Sequence, residues 1–145
     1  SPPLDSGTIP DNQKKLIKLL EPLLPHLAIP SKLDRNALSR DQAVIDAYSA
    51  DPLVHDKVSV RLGAHFVNAP EYIFSHINEW CLPLYLAHGT EDRICPIKGS
   101  DQFALAVPIP ITYQRWEGLF HETHNEPEKE QVISAMLAWI DAQLA

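Results

Sequence analysis

Asp92 and His121 are the two residues whose types and surroundings point to chemistry. Asp92 comes three positions past Gly89, at the end of an apolar, strand-like run, and His121 comes five positions past Trp116, at the end of another. In open α/β sheets the working groups sit in loops at the carboxyl ends of strands, where the crevice opens. An imidazole there can take a proton from a hydroxyl, and a carboxylate can hold its tautomer and stabilise the imidazolium that forms. The order acid then base is one of the few chain orders in which a serine triad is known to occur. A solvated loop carboxylate and an ordinary surface histidine are the alternative, and spacing alone leaves both open.

Other candidates carry less. His121-Glu122-Thr123-His124 resembles a zinc helix motif, but its histidines are three apart instead of four, and Gly118 and Pro127 bracket a loop. No metal and no cofactor are expected. His88 and His124 are expected to be structural, hydrogen-bonded near the site, whereas His26, His55, His65 and His76 follow no pattern. The two cysteines, Cys81 and Cys95, read as reduced thiols.

Composition narrows the class. The net charge of -7 is spread along 145 residues, and no basic cluster exceeds the pair Lys14-Lys15, which argues against a phosphate-backbone partner. The opening SPPLDSGTIP lacks the charged start and apolar core of a signal peptide. No apolar run approaches the roughly 20 residues that span a bilayer. The expected setting is cytoplasmic.

The elements that must position Asp92 and His121 follow from periodicity. Leu16, Ile17, Leu19, Leu20, Leu23 and Leu24 predict a helix over 11–24, broken near its end by Pro22 and Pro25. The next segment, HLAIPSKLD, reads as an extended connection over an apolar surface. Ser39-Arg40-Asp41-Gln42 fits a capping box opening a helix to about Tyr48. A helical stretch over 59–80 has Val60, Phe66, Ile73 and Ile77 as inward positions, with Pro70 expected to kink or interrupt it. Leu82 to Ala87 then reads as a parallel strand buried on both faces. Ser100 is the expected cap of a helix to about Val107, Ile111–Trp116 a second strand, and Val132, Met136, Ile140 and Leu144 the inward face of a last helix. Strand, helix, strand, helix means an α/β sheet. Two strands leave both edges open, so further strands must come from an N-terminal part of the same polypeptide or from a second copy.

Two stretches carry a family resemblance. PLYLAHGTEDRICPIKGSDQFA and ITYQRWEGLFHETHNEPEKEQVISAMLAWI resemble the C-terminal region of the monoacylglycerol lipase and lysophospholipase family of α/β hydrolases. There, a strand ending in His-Gly, two residues and an Asp supplies the triad acid, matched by His88, Gly89 and Asp92. Gly118-Leu-Phe-His121-Glu122, with Asn125-Glu126 after it, matches the loop supplying the triad histidine. Leu38-Ser39-Arg40-Asp41, then Tyr48 and Asp51-Pro52-Leu53-Val54, match a phrase in the family's helical cap. None of the five glycines stands in a Gly-x-Ser-x-Gly elbow, so the nucleophile of a family member would lie ahead of Ser1.

The resemblance implies the C-terminal portion of an α/β-hydrolase fold, with residues 1–58 as helical cap and 59–145 as core. It implies a serine carboxylic-ester hydrolase in which His121 is base and then acid, Asp92 orients it, and the substrate carries an acyl chain. Ile94 and Cys95 are expected beside that substrate, and residues 16–24 are expected either to face the core or to touch a lipid surface transiently. The chain alone is expected to be inactive. The competing expectation is an interaction scaffold or fragment that self-associates through its open sheet.

Overall fold

The computed structural model describes residues 1–7 and 9–144. Helix α1 (Asp11–Leu20) stops at the turn before Pro22, so Leu23 and Leu24 lie beyond it, exposed. Residues 25–36 are largely exposed and do not cover an apolar surface as expected. They hold instead a three-residue strand, β1 (Ala28–Pro30), which pairs antiparallel with β2 (Lys57–Ser59) through the register Ile29 opposite Val58. Strands this short, one ending in proline, carry no readable alternation. The expected division after residue 58 therefore falls inside β2.

Helix α2 (Gln42–Ala50) is capped by Asp41, whose side chain accepts from Ala43 N; Ser39 is not the cap. Ser39 Oγ instead accepts from Asp41 N at 3.0 Å and donates to Asn125 O at 2.9 Å. Strand β2 runs directly into α3 (Val60–Ser75), capped by the Ser59 hydroxyl on Leu62 N. The helix continues through Pro70 and is not interrupted there. The ring is buried on the same apolar side as Val60, Gly63, Ala64 and Val67, and that packing offsets the missing N–H. Phe66, expected inward, is exposed on the other side.

A 3-10 turn at Ile77–Glu79 leads to β3 (Tyr85–Gly89), which starts three residues later than expected because Leu82 is exposed. Helix α4 (Ile97–Ala106) begins at Pro96, so Ser100 is an interior, buried position instead of a cap. Strand β4 (Thr112–Trp116) pairs parallel with β3, Tyr85 opposite Thr112 and Gly89 opposite Trp116. Alternation along β3 puts Leu86 and His88 on one face, both buried. Leu4, Ile77, Leu86 and Phe103 form the core there, with Trp80 edge-on to Phe103 at 5.7 Å. The opposite face is only half-buried, with Tyr85 against Trp139 of α5 (Lys129–Leu144) at 5.9 Å.

Of the four positions expected inward on α5, only Val132 is buried; Met136, Ile140 and Leu144 are 40%, 43% and 80% exposed. The spacing identified the helix, but the described residues leave the rest of that row exposed. No helix among the described residues is long and apolar enough to cross a membrane.

Candidate active site

The register of the parallel pair sets the site. Because Gly89 lies opposite Trp116, the loops leaving both strands emerge side by side. They are stitched together by Thr90 N on Trp116 O at 2.9 Å, Glu91 N on Leu119 O at 3.0 Å and Gly118 N on Thr90 Oγ1 at 2.8 Å. Gly118 takes φ +73 in the turn after β4, a conformation glycine adopts without steric cost. Gly89 is required by proximity. A Cβ there would stand 2.3 Å from the carbonyl oxygens of both Leu119 and Phe120, so the loop carrying His121 lies directly on the end of β3.

The Asp92 side chain is fully buried and accepts four N–H groups. Oδ1 takes Ile94 N at 2.8 Å and Cys95 N at 2.9 Å; Oδ2 takes His121 Nδ1 at 2.9 Å and faces His88 Nε2 at 3.3 Å. Burial alone would raise the pKa of this carboxyl. The hydrogen bonds from His121, His88 and the Cys95 amide outweigh it and hold the carboxyl well below the usual carboxylate range. An ionised Asp92 can only accept, so His121 Nδ1 carries the proton and Nε2 offers its lone pair. Nε2 has no hydrogen-bond partner among the described residues, and the ring is 22% exposed.

His88 is a second imidazole on the same carboxylate, and the sequence showed only that it should be structural. It is fully buried, with Nε2 2.9 Å from Cys95 O and Nδ1 2.7 Å from Ser100 Oγ. Both neighbours of Nε2 are pure acceptors, so that nitrogen bears a hydrogen, shared between carbonyl and carboxylate. The signal for its burial was its place two residues after Leu86 on one strand face. His124 does not belong here: it is exposed, on the 3-10 turn Thr123–Asn125.

Ile94 and Cys95 reach the site through their backbone amides, a role that side-chain reasoning missed. An Asp followed two and three residues later by turn amides was the available signal. Burial, and then the charge of Asp92, push the Cys95 thiol up to about 11, so it stays protonated at neutral pH. Two recesses of about 260 and 190 Å³ open elsewhere on the surface, and neither is lined by Asp92, Ile94, Cys95 or His121.

A parallel strand pair whose adjoining loops join an acid to a base, in the order Asp then His, is the C-terminal portion of an α/β-hydrolase fold. The profile of the Hydrolase_4 family (serine aminopeptidase, S33) matches residues 1–128. The chain belongs to that family. It is 34% identical over 128 residues to an uncharacterized abhydrolase domain-containing protein of Dictyostelium discoideum, covering 87% of this chain and 14% of that one. It is 32% identical over 129 residues to the monoacylglycerol lipase of Mycolicibacterium smegmatis, covering 88% of this chain and 46% of the lipase. The crystal structure of the Paleococcus ferrophilus monoacylglycerol lipase superposes with a TM-score of 0.91 at 30% identity, covering 95% of this chain and 55% of that chain. The chain thus spans about half the length of these lipases.

Proposed function

We propose that the chain supplies the acid and base of a Ser-His-Asp triad in a carboxylic-ester hydrolase acting on monoacylglycerols. The observation that carries the reading is the buried Asp92 carboxylate, saturated by four donors and 2.9 Å from His121 Nδ1, which leaves Nε2 unbonded among the described residues. In that reading a serine outside residues 1–145 attacks the ester carbonyl. His121 takes its proton at Nε2 and later gives it to the leaving glycerol, while Asp92 stabilises the imidazolium between those steps. The likeness to monoacylglycerol lipases supports an acyl glycerol over an amide as substrate.

Residues 1–58 form the cap, and the exposed Leu16 and Leu19 of α1, with Leu23 just after it, beside Lys15 and Lys18 suit a lipid surface. The N-terminal half of the same protein covers the exposed row of α5 and supplies the missing strands.

The test uses the polypeptide in which this chain follows a Gly-x-Ser-x-Gly half, assayed on a medium-chain monoacylglycerol. His121→Ala should lower kcat by at least about 10³. Retained turnover in that variant would refute the reading, and hydrolysis of anilides but not esters would move it to amide chemistry.

A further inference from the structure

Glu126, five residues past His121, is fully buried, yet neither the acid nor the base touches it. Its Oε1 accepts from Phe120 N at 2.7 Å, the peptide nitrogen one residue before His121. Its Oε2 accepts from Arg40 twice, from the backbone N at 3.2 Å and from Nε at 2.9 Å. Arg40 also pairs with Glu128 at the surface. A buried carboxylate is retained only where it is paired and hydrogen-bonded, and such pairs are poor sources of net stability because desolvation offsets their attraction. What they supply is direction, and every bond of this one acts on the His121 loop or on the segment gripping it.

That segment is Asn36–Arg40. Glu122 N donates to Leu38 O at 2.8 Å and Ser39 Oγ to Asn125 O at 2.9 Å, so with Glu126 on Phe120 N the loop is held on both sides of His121. The same segment reaches the acid loop. Arg93, next to Asp92, donates from Nη2 to Asn36 O at 3.0 Å, and its guanidinium lies 4.7 Å over the Phe120 ring. One stretch of backbone, leading straight into α2, therefore brackets both loops, with the half-exposed Arg40 on the buried Glu126 as its fastening.

We propose that Glu126, fastened by Arg40, is a positioning residue for His121. By fixing the Leu119–Phe120 peptide, one residue ahead of His121, it holds the imidazole against Asp92 and keeps Nε2 directed outward. The proposal rests on the esterase reading only for its kinetic consequence, since the imidazole–carboxylate contact can be observed without turnover.

The experiment compares wild type with Glu126→Gln in the polypeptide carrying both halves. Glutamine keeps an acceptor for Phe120 N but sets an amide NH₂ against the Arg40 donors. The downfield proton resonance of the Asp92–His121 bond should broaden or disappear, and kcat should fall about 10- to 100-fold with KM changed less than about threefold, the scale of a misplaced reacting group. A folded Glu126→Gln protein, by thermal unfolding, with unchanged resonance and kcat would overturn the proposal. If that variant does not fold, Arg40→Met, which keeps the stem and its backbone N–H, is read identically. If wild type hydrolyses no ester, the esterase reading fails, and the resonance alone decides whether Glu126 positions His121.

Discussion

Asp92→Asn changes one atom, and the four donors around the carboxylate decide how the site responds. The amide must turn its NH₂ either toward Ile94 N and Cys95 N or toward the two imidazoles. The first choice strands two buried backbone donors that cannot move, at roughly 1–3 kcal/mol each. The second is milder. His88 keeps Cys95 O at 2.9 Å as acceptor, and His121 can accept the NH₂ at Nδ1 by moving its proton to Nε2. That costs about 1.5–3 kcal/mol for a lost charge-assisted bond, so the second arrangement wins. The inverted tautomer disables the base, because Nε2 then bears the proton it should accept. Hydrolysis should fall about 10⁴-fold, as when a triad acid is replaced by its amide. Imidazole ¹⁵N shifts should place the His121 proton on Nε2 in the variant and on Nδ1 in wild type. A variant with the wild-type tautomer, or with kcat within about tenfold of wild type, would refute this account of the four donors.

Two further outcomes rest on the same contacts. Gly89→Ala places a methyl carbon 2.3 Å from two carbonyl oxygens, so the His121 loop must lift; an overpacking cost of about 1–3 kcal/mol in urea unfolding and loss of the Asp92–His121 resonance are expected, and unchanged stability would contradict the close approach. The folded pKa of Asp92 lies below its unfolded value of about 4, so its stabilisation is complete above that pH and is lost as pH falls through it toward the folded value. The stability difference between wild type and Asp92→Ala, measured by urea midpoint from pH 7 to 3, should therefore hold steady and then narrow below about pH 4; a difference that does not narrow would refute the assignment.

The parts of the fold legible in the sequence were those specified locally. β3, β4 and the loops after them could be read because apolar runs ended at glycines and the chemical residues came after them at short intervals. Burial was less legible. Met136 and Ile140 share the spacing of Val132, but a side chain is buried only if something packs on it, and periodicity does not name the partner. Ser39 and Ser100 looked like caps because hydroxyls before helical runs usually are; each is instead spent on a distant partner, Asn125 O or the His88 ring. The Arg40–Glu126 pair joins residues 86 apart, and neither side chain's type discloses the other's position.

The donors on Asp92 explain why the acid and base differ in what they need. Two of the four are amides of its own loop and a third comes from His88, itself locked between Ser100 and Cys95. Three donors therefore hold the carboxylate without His121. The imidazole has no such support: its ring makes one hydrogen bond among the described residues, to Asp92, and is part-exposed. Side-chain bonding alone would leave it free to swing about that contact, so its direction has to come from its backbone. That backbone is held by Glu126 on one side and by Leu38 O and Ser39 on the other. The donors on the acid thus lie within its own loop and strand, although Arg93 beside it reaches Asn36 O, whereas the base depends on Leu38–Arg40 some eighty residues earlier in the chain, so substitutions at Ser39 or Arg40 should act first on His121.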